Sequence, residues 1–374
     1  MPDTSQEDTS NSGARFIRPP ALIKVVGVGG GGCNAVRRMI PKRVPGVEFI
    51  VVNTDIKSLE SVQGATAIQI GEETTHGWGA GGKPEVGAES AQRGKETLRK
   101  CLKNADLIFV TAGMGGGTGT GAAPVVAGIA KASGALTVGV VTTPFSFEGK
   151  RRLEQAIAGV GELKKQVDNL VVIHNDRLLK LADEELPMEQ AFAMADEVVM
   201  QGILGVSSLI NVPGEINVDL ADVKSVMSIP GSALMAVGTG QGSRAAEDAA
   251  RMAITNPLLE LSINGAKGVL FNVGGGPDLT IGEVNAAGEM IAKAVDPDAT
   301  IFFGMVNDPA LLGKARITLI ATGIPGEEDL IQDHLVDLLR KAPAHSFSPA
   351  APPAQPRTPS KDSNGSLWRK LTGQ

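Results

Sequence analysis

The chain has 374 residues, 42% of them apolar, which suits two domains with sizeable cores, or one large domain with tails. Acidic residues outnumber basic ones by 41 to 35, so the net charge of −6 excludes a broad basic surface for nucleic acid. Two cysteines and four scattered histidines predict neither a disulfide framework nor a zinc site. No apolar run approaches ~20 residues and no signal-peptide core is visible, so we expect a cytoplasmic protein without direct membrane insertion.

A glycine run follows the first apolar segment. Residues 1–20 are polar and predict a disordered tail, and residues 23–26 then predict a strand. The strand leads into Gly27-Val28-Gly29-Gly30-Gly31-Gly32-Cys33-Asn34 and a predicted helix over 35–40. The run contains the Gly-x-Gly-x-x-Gly spacing of dinucleotide sites, and Asp55, after a second strand, stands where such sites have their ribose-binding acid. An NAD-dependent Rossmann oxidoreductase is therefore one candidate.

A second glycine-rich stretch covers residues 71–87. Its segment Gly77-Trp78-Gly79-Ala80-Gly81-Gly82-Lys83 has nearly the spacing of a Walker A loop. However, Pro84 replaces the Ser or Thr that would bind magnesium, and no strand precedes the segment. The stretch predicts a phosphate-facing or lid loop, or alternatively a plain surface loop, followed by a helix over 88–102.

The most informative stretch is Gly113-Met114-Gly115-Gly116-Gly117-Thr118-Gly119-Thr120-Gly121, with six glycines in nine residues. It follows an apolar segment, 107–111, that predicts a buried strand, and it precedes a helix predicted from Ala122. Glycines let backbone amides approach a ligand closely, and a helix N-terminus adds partial positive charge. The stretch therefore predicts a phosphate site.

Polar and aromatic residues follow the next predicted strands. Glu148 and Arg152 are four residues apart, which indicates one helical face at the edge of the sheet, although a solvated ion pair fits as well. Phe192 and Asp196 have the same spacing on a helix predicted over 188–203. An aromatic face beside a carboxylate suits a purine, whereas a core aromatic with a surface acid is the plainer alternative.

The order of these elements predicts the fold. Five strands alternate with helices, and the glycine loops follow the carboxyl ends of strands. This order predicts the α/β class with an open, Rossmann-like doubly wound parallel sheet that binds its ligand above the carboxyl edge. Two phosphate-type loops from different strands favour a nucleoside triphosphate over a dinucleotide, and no His-centred hydride-transfer group follows.

The second half of the chain predicts a smaller α/β domain. It begins with a loop over 211–222 that holds Asn217, Asp219 and Asp222 within six residues, an arrangement that by itself usually reflects solvation. Strands and helices follow, then an amphipathic helix and a proline-rich spacer. The chain ends in an apolar and basic peptide that suits a partner groove. This peptide comprises Leu367, Trp368, Arg369, Lys370 and Leu371.

Two of these motifs resemble those of the FtsZ family, the bacterial relatives of tubulin. Gly115-Gly116-Gly117-Thr118-Gly119-Thr120-Gly121 is similar to the family signature, and Asn217-x-Asp219-x-x-Asp222 is similar to its catalytic loop. The resemblance covers residues 21–325. It implies a disordered tail (1–20), a GTP-binding domain (21–185), a central helix (186–210), a C-terminal domain with the catalytic loop (211–325), an amphipathic helix (326–341), a disordered linker (342–363) and a partner-binding peptide (364–374).

The resemblance also implies roles for individual residues. The glycine loops would hold the phosphates of GTP or GDP, with Mg²⁺ bound through the phosphates and water. Glu148 and Arg152 would contact the ribose and phosphate region, Phe192 would stack on guanine, and Asn175 and Asp196 would bind its edge. Asn217, Asp219 and Asp222 would be catalytic. The implied phosphate-binding residues are Gly29, Gly30, Gly31, Gly32, Cys33, Asn34, Gly115, Gly116, Gly117, Thr118 and Gly119.

The activity that the resemblance implies is GTP hydrolysis in a homopolymer. Members assemble head to tail into filaments of the division ring at midcell, and the acids of one subunit act on the GTP of its neighbour. The C-terminal peptide would bind division or membrane-adaptor proteins. The alternatives are the NAD-dependent oxidoreductase, a self-contained monomeric GTPase, and a regulatory GTP-binding scaffold without catalysis.

Overall fold

The computed structural model describes residues 21–179, 187–255 and 263–324. The predicted N-terminal tail, the amphipathic helix after the last strand, the linker and the C-terminal peptide lie outside the described residues. The described part is organised around two β-sheets, which one long helix joins; further helices pack on the sheets.

The first sheet confirms the predicted α/β class. It has six parallel strands in the order β3-β2-β1-β4-β5-β6. Every residue of the central strand β1 is buried, as expected for a sheet covered on both faces. The strands are β1 (Ile23–Val28), β2 (Val47–Asn53), β3 (Thr66–Gln69), β4 (Leu107–Gly113), β5 (Leu136–Thr143) and β6 (Asn169–His174).

Helices cover both faces of this sheet, so the fold is doubly wound as predicted. One core contains side chains of α1 and the long helix, and the other contains side chains of α4 to α7. The helices are α1 (Gly29–Met39), α2 (Ile56–Glu60), α3 (Glu72–Thr75), α4 (Pro84–Arg93), α5 (Lys95–Leu102), α6 (Thr118–Ala132), α7 (Lys150–Lys164) and α8 (Asn175–Leu179).

Three predicted elements were wrong in detail. The helix expected over 88–102 is two helices, because Gly94 has non-helical dihedral angles between α4 and α5. The expected loop over 71–87 contains α3 and the first residues of α4. The prediction of five strands missed β3, a short edge strand in which only Ile68 is buried.

The long helix α9 (Met188–Asn211) crosses the molecule between the two sheets. Its 24 residues give a length of about 36 Å. The Asn211 amide, at its C-terminal end, donates hydrogen bonds to the carbonyls of Ala21 and Pro45, which precede β1 and β2. By length and hydropathy α9 could also span a membrane, but half of its most apolar window is buried inside the protein, as in a core helix.

The second sheet forms the smaller α/β domain. Its four strands have the order β7-β10-β8-β9; β8 and β9 are parallel and the other pairs are antiparallel. The helices α11 and α12 cover one face and bury mainly alanine side chains against it. The elements are α10 (Leu220–Met227), β7 (Ser232–Gln241), α11 (Ala245–Ile254), β8 (Gly268–Gly275), α12 (Ile281–Lys293), β9 (Thr300–Asn307) and β10 (Lys314–Ile324).

Candidate functional site

The first glycine run is the N-terminal turn of a helix. Helix α1 begins at Gly29, directly after β1, and not at residue 35 as the sequence predicted. Val28 provides no side-chain cap, and the first turn contains no acidic residue. The first amides of α1 are therefore without helical partners and face the carboxyl edge of the sheet. This turn can bind an anion through its backbone.

The second glycine run has the same construction. Helix α6 begins at Thr118 after the loop that leaves β4, again without a side-chain cap or a first-turn acid. Gly115 has a left-handed backbone (φ 95°), and its amide donates to the Thr120 hydroxyl over 2.9 Å. The Thr118 hydroxyl is 2.6 Å from that of Thr54, so within this structure it bonds to the protein.

The two helix N-termini lie against each other because both are built from glycine. A Cβ atom on Gly29 would lie 2.6 Å from the Gly119 amide nitrogen, and one on Gly31 would lie 3.0 Å from the Gly113 nitrogen. By contrast, a Cβ atom on Gly30 or Gly116 would meet nothing within 4 Å. The structure thus brings both predicted phosphate loops together and leaves open space beside them.

The loop from Gly77 to Lys83 packs on the second glycine run. A Cβ atom on Gly117 would lie 2.8 Å from the Ala80 Cβ and 2.9 Å from the Lys83 nitrogen. Four glycines in the loop have positive φ values, which favour glycine. This position beside the phosphate loops favours a phosphate-facing or lid loop over a plain surface loop.

Cys33 and Asn34 point in different directions from the first turn of α1. Asn34 is exposed, whereas Cys33 is 1% exposed and its sulfur accepts a hydrogen bond from the Asn53 amide. Burial raises the pKa of the Cys33 thiol to about 12. Cys33 can therefore contribute its backbone amide to a phosphate, but its neutral side chain belongs to the core.

An aromatic cluster lies beside the start of α9. Phe192 contacts Phe145 edge to face with a centroid distance of 5.1 Å, and Phe145 is stacked on Phe147 at 5.0 Å. Phe145 is buried, whereas Phe192 and Phe147 are exposed by 37% and 39%. Phe192 is thus neither a core residue nor an isolated surface one, and part of its ring is exposed.

Asn175 carries a buried polar atom that has no partner among the described residues. It follows β6 directly and is 4% exposed, and its side-chain oxygen accepts no hydrogen bond from the described residues. Its neighbour Asp176 accepts the Ser146 amide over 2.8 Å. Because buried polar atoms are normally satisfied, the Asn175 oxygen is suited to accept a hydrogen bond from a ligand.

Asp196 is bound to an arginine that sequence reasoning missed. Arg38 Nε donates to Asp196 Oδ2 over 3.0 Å, and the Asp196 side chain is 17% exposed. Burial raises the pKa of Asp196, and the hydrogen bond from Arg38 partly offsets this effect. The two residues are 158 positions apart, so no local sequence pattern relates them.

Glu148 and Arg152 form an ion pair, but they do not share one helix. Glu148 ends a 3₁₀ turn, and Gly149, with φ 99°, separates it from α7. The Glu148 carboxylate also accepts the Phe145 amide over 2.9 Å, and its side chain is 12% exposed. Glu148 is therefore held in the turn, while the more exposed Arg152 can reach a ligand.

Asp55 does not have the surroundings of a ribose-binding acid. It caps α2, where its carboxylate accepts the Lys57 amide over 3.1 Å and the Ser58 hydroxyl over 2.6 Å. Both oxygens already accept hydrogen bonds that cap the helix, so Asp55 has a structural role that accounts for its position without a dinucleotide.

The three predicted catalytic residues form one compact unit at the start of α10. Asp219 is the N-cap and accepts the Asp222 amide over 2.9 Å, while Asp222 accepts the Asp219 amide over 3.2 Å. The Asn217 side chain bonds to both backbone groups of Gly214. Asn217 and Asp219 are exposed and Asp222 is half-buried, so the carboxylates of the two aspartates are at least partly accessible.

This unit lies at the opposite edge of the sheet from the glycine loops. It follows Asn211, whose contacts are with the segments before β1 and β2. Independently, the Met227 carbonyl at the end of α10 accepts from Asn169, the first residue of β6. The strands separate the two edges by about 20 Å. The structure thus does not bring the acids of a chain to its own phosphate loops.

The residues around the glycine loops fit a nucleotide better than a metal ion bound by protein alone. Among the described residues, no group of three or more His, Cys, Asp or Glu side chains converges. The first turns of α1 and α6 contain no carboxylate. The described residues around the loops therefore offer no set of protein ligands that would hold a metal ion without a nucleotide.

Comparisons with known proteins show which family the chain belongs to. The family model described as "Tubulin/FtsZ family, GTPase domain" matches residues 22–183, and "FtsZ family, C-terminal domain" matches 231–325. The chain is 41% identical to an FtsZ from M. jannaschii, titled as an empty dimer; the match covers 82% of this chain and 89% of that one, with a TM-score of 0.79. The chain is also 41% identical to a mutant of FtsZ from M. jannaschii; the match covers 82% of this chain and 92% of that one, with a TM-score of 0.78.

More distant structures share the fold. CetZ2 from Haloferax volcanii, titled as a GTPγS-bound protofilament, is 21% identical, with 86% and 99% coverage and a TM-score of 0.71. Both halves of the chain match family models, and the match to the FtsZ from M. jannaschii covers most of both proteins. The chain therefore belongs to the tubulin/FtsZ family of GTPases and carries the FtsZ-type C-terminal domain.

Proposed function

We propose that the chain is a self-assembling GTPase of the FtsZ type, in which each GTP is hydrolysed at the contact between two subunits. The observation that carries the proposal is the separation of Asp219 and Asp222 from the glycine loops of the same chain. The loops can bind a nucleotide, but within one subunit no accessible acid of the catalytic loop reaches it.

The glycine loops and the aromatic cluster supply a binding site for GTP and GDP. The amides at the starts of α1 and α6 would hold the phosphates, and Arg152 would approach the ribose and phosphate region. The partly exposed ring of Phe192 would stack on the guanine. The Asn175 oxygen, which has no partner among the described residues, and the Asp196 carboxylate accept hydrogen bonds, which matches the N–H groups on the guanine edge.

Hydrolysis would need the catalytic loop of the next subunit. Asp219 and Asp222 would orient the attacking water or accept its proton, and Asn217 would hold the loop through Gly214. When Mg²⁺ is bound with the phosphates, it supplies charge neutralisation. The exposed positions of Asn217 and Asp219 suit residues that function after docking.

Stacking the catalytic-loop face of one subunit on the nucleotide face of another gives a filament. Such a contact joins two different surfaces, so it does not close and can repeat. The titles of related structures, an FtsZ dimer and a CetZ2 protofilament, support self-association of this fold. We infer a homopolymer that serves in the bacterial division ring.

The sequence supports two further parts of the proposal. The peptide Leu367 to Leu371 would bind division or membrane-adaptor proteins, and it lies outside the described residues. The protein would be cytoplasmic and concentrated at midcell, because a division-ring filament acts there.

The proposal is tested by the Asp222→Asn variant, measured for phosphate release and for GTP-dependent sedimentation in the same samples. Asparagine keeps an oxygen to accept the Asp219 amide, so the start of α10 is preserved while the acid is lost. We expect GTP binding and assembly to persist and hydrolysis to fall at least 100-fold, the order expected for loss of an acid–base group.

The matched control is Glu215→Gln, which removes an exposed carboxylate from the same loop. It should hydrolyse GTP within about twofold of the wild-type rate, because surface changes away from specific contacts have small effects. Wild-type turnover in Asp222→Asn would refute the shared site and favour a self-contained GTPase. A thermal-shift comparison in which NAD stabilises the protein more than GTP does would instead support the oxidoreductase.

A further inference from the structure

Arg38 connects the helix of the first phosphate loop to the acid beside the proposed base site. It lies on α1, near the end opposite the glycine run, and its Nε donates to Asp196 Oδ2 on α9 over 3.0 Å. The Arg38 side chain is 37% exposed and that of Asp196 is 17% exposed. The contact is therefore a partly buried ion pair between two helices that pack on the same core.

Burial and the neighbouring arginines have opposite effects on the Asp196 carboxyl group. Burial raises the pKa of this group, whereas the hydrogen bond and charge of Arg38, and the charge of Arg37, lower it. The adjacent helix α8 carries Asp176, which accepts the Ser146 amide, and Arg177. On α9 itself, Glu197 accepts a hydrogen bond from Gln201. Arg38 makes the direct hydrogen bond.

The geometry of the bond leaves part of the carboxylate for a ligand. Arg38 binds Oδ2 alone, so the second oxygen of Asp196 and the remaining lone pair of Oδ2 can accept further hydrogen bonds. An ionised carboxylate can accept both the ring N–H and the amino N–H of guanine. A protonated carboxyl group has one oxygen that donates, so it loses part of this complementarity.

We propose that Arg38 is a positioning residue that holds the Asp196 carboxylate, through its hydrogen bond to Oδ2, in the orientation in which it binds the guanine edge. This inference rests on the proposed function, because it assumes that Asp196 binds guanine. It adds that base recognition depends on a residue from the same helix that begins with the first phosphate loop, so the two halves of the nucleotide site are coupled through α1.

The test compares the pH dependence of nucleotide binding in four proteins: wild type, Arg38→Ala, Arg38→Lys and Arg37→Ala. The affinities for GTP and for ITP, which lacks the amino group of guanine, are measured by calorimetry between pH 5 and 8. Arg37 is the matched control because it removes the same charge from the same helix without a hydrogen bond to Asp196. Circular dichroism at each pH confirms that each variant is folded.

In Arg38→Ala, the GTP affinity should begin to decline at a higher pH than in the wild type, by about one pH unit or more. The reason is that removal of a partner charge raises the pKa of an acid. GTP binding should weaken as the pH falls, because protonation of Asp196 at low pH removes a hydrogen-bond acceptor for guanine. The preference for GTP over ITP should fall about tenfold near the lower end of the range. Arg38→Lys should restore most of both properties, and Arg37→Ala should change them little.

Identical pH profiles for wild type and Arg38→Ala, or an equal shift in Arg37→Ala, would overturn the inference. Asp196→Asn distinguishes this failure from failure of the proposed function. If Asp196→Asn weakens GTP binding while Arg38→Ala has a normal profile, only the role of Arg38 is wrong. If Asp196→Asn leaves the affinity and the GTP preference unchanged, the proposed base site itself is wrong.

Discussion

Cys33 shows how one residue of a phosphate loop can serve the fold and the site separately. Its backbone belongs to the first turn of α1, while its thiol is buried against Asn53. Because burial raises its pKa to about 12, the thiol is almost entirely protonated at pH 8. The reactive form of this cysteine is thus scarce.

We expect Cys33 to resist alkylation in the folded protein. At pH 8, iodoacetamide should modify the half-buried Cys101 at least tenfold faster, and unfolding in urea should bring the two rates together. Peptide mapping by mass spectrometry measures both sites in one sample. Rapid labelling of Cys33 in folded protein would contradict the inward placement of its thiol.

The acids of the catalytic loop illustrate a different residue-level point. Asp219 and Asp222 cap α10 through each other's backbone amides, so the same carboxylates have a structural role before any substrate arrives. A variant that removes the capping oxygen would confuse lost stability with lost chemistry. This is the reason for preferring Asp222→Asn to Asp222→Ala.

At the scale of elements, the proposed site depends on the close approach of two helix N-termini. Gly29 has φ 72°, and a Cβ atom there would collide with the Gly119 amide nitrogen. Gly30, the next residue, faces open space. Adjacent glycines in one turn therefore have different tasks: the first allows the helices to meet, and the second leaves room for the ligand.

We expect Gly29→Ala to lower the stability of the protein and Gly30→Ala to lower its affinity for GTP. Gly29→Ala should lower the melting temperature by about 5 °C, since strain of about 1–3 kcal/mol is added at a positive φ. Gly30→Ala should leave the melting temperature without ligand nearly unchanged, but weaken GTP binding about tenfold or more by placing a methyl group where the phosphates would lie. Differential scanning calorimetry with and without GTP separates the two. Equal losses of stability would contradict the packing of α1 on α6.

Much of this arrangement could be predicted from the sequence because it depends on local patterns. Buried β-branched segments before glycine runs predicted parallel strands whose carboxyl ends share one edge. The exact start of α1 could not be predicted, since glycine has low helix propensity and only its contacts with β4 and α6 favour a helix there. Strand β3 was missed because its side chains are mostly exposed and give no apolar pattern.

Long-range contacts were the part that local patterns could not supply. The Arg38 to Asp196 pair joins residues that are distant in the chain, and the path of α9 places the catalytic loop at the far edge of the sheet. The sequence indicated acids in a loop, for which solvation was the plainer explanation. The family resemblance led to the catalytic hypothesis, and the separation of the loop from the glycine runs in the fold is what supports the proposal of a shared site.

At the scale of the whole molecule, both proposed contact faces expose apolar side chains. Near the glycine loops, Trp78 is 81% exposed. Beside the catalytic loop, Ile216, which pairs with Met305, is 37% exposed, and Phe303 on the adjacent strand is 40% exposed. Two such faces at opposite edges suit a heterologous contact between copies of the chain. These apolar side chains would become buried when the catalytic loop of one subunit docks on the nucleotide face of the next.

The most direct test of the shared site is the rate of phosphate release per subunit, measured as the protein is diluted from micromolar to nanomolar concentration with saturating GTP and Mg²⁺. Sedimentation of the same samples gives the assembled fraction. We expect the specific rate to fall with the assembled fraction and to approach zero in monomeric protein, because a lone subunit keeps its acids about 20 Å from its own phosphate loops. A constant rate per subunit in monomeric protein would contradict the account.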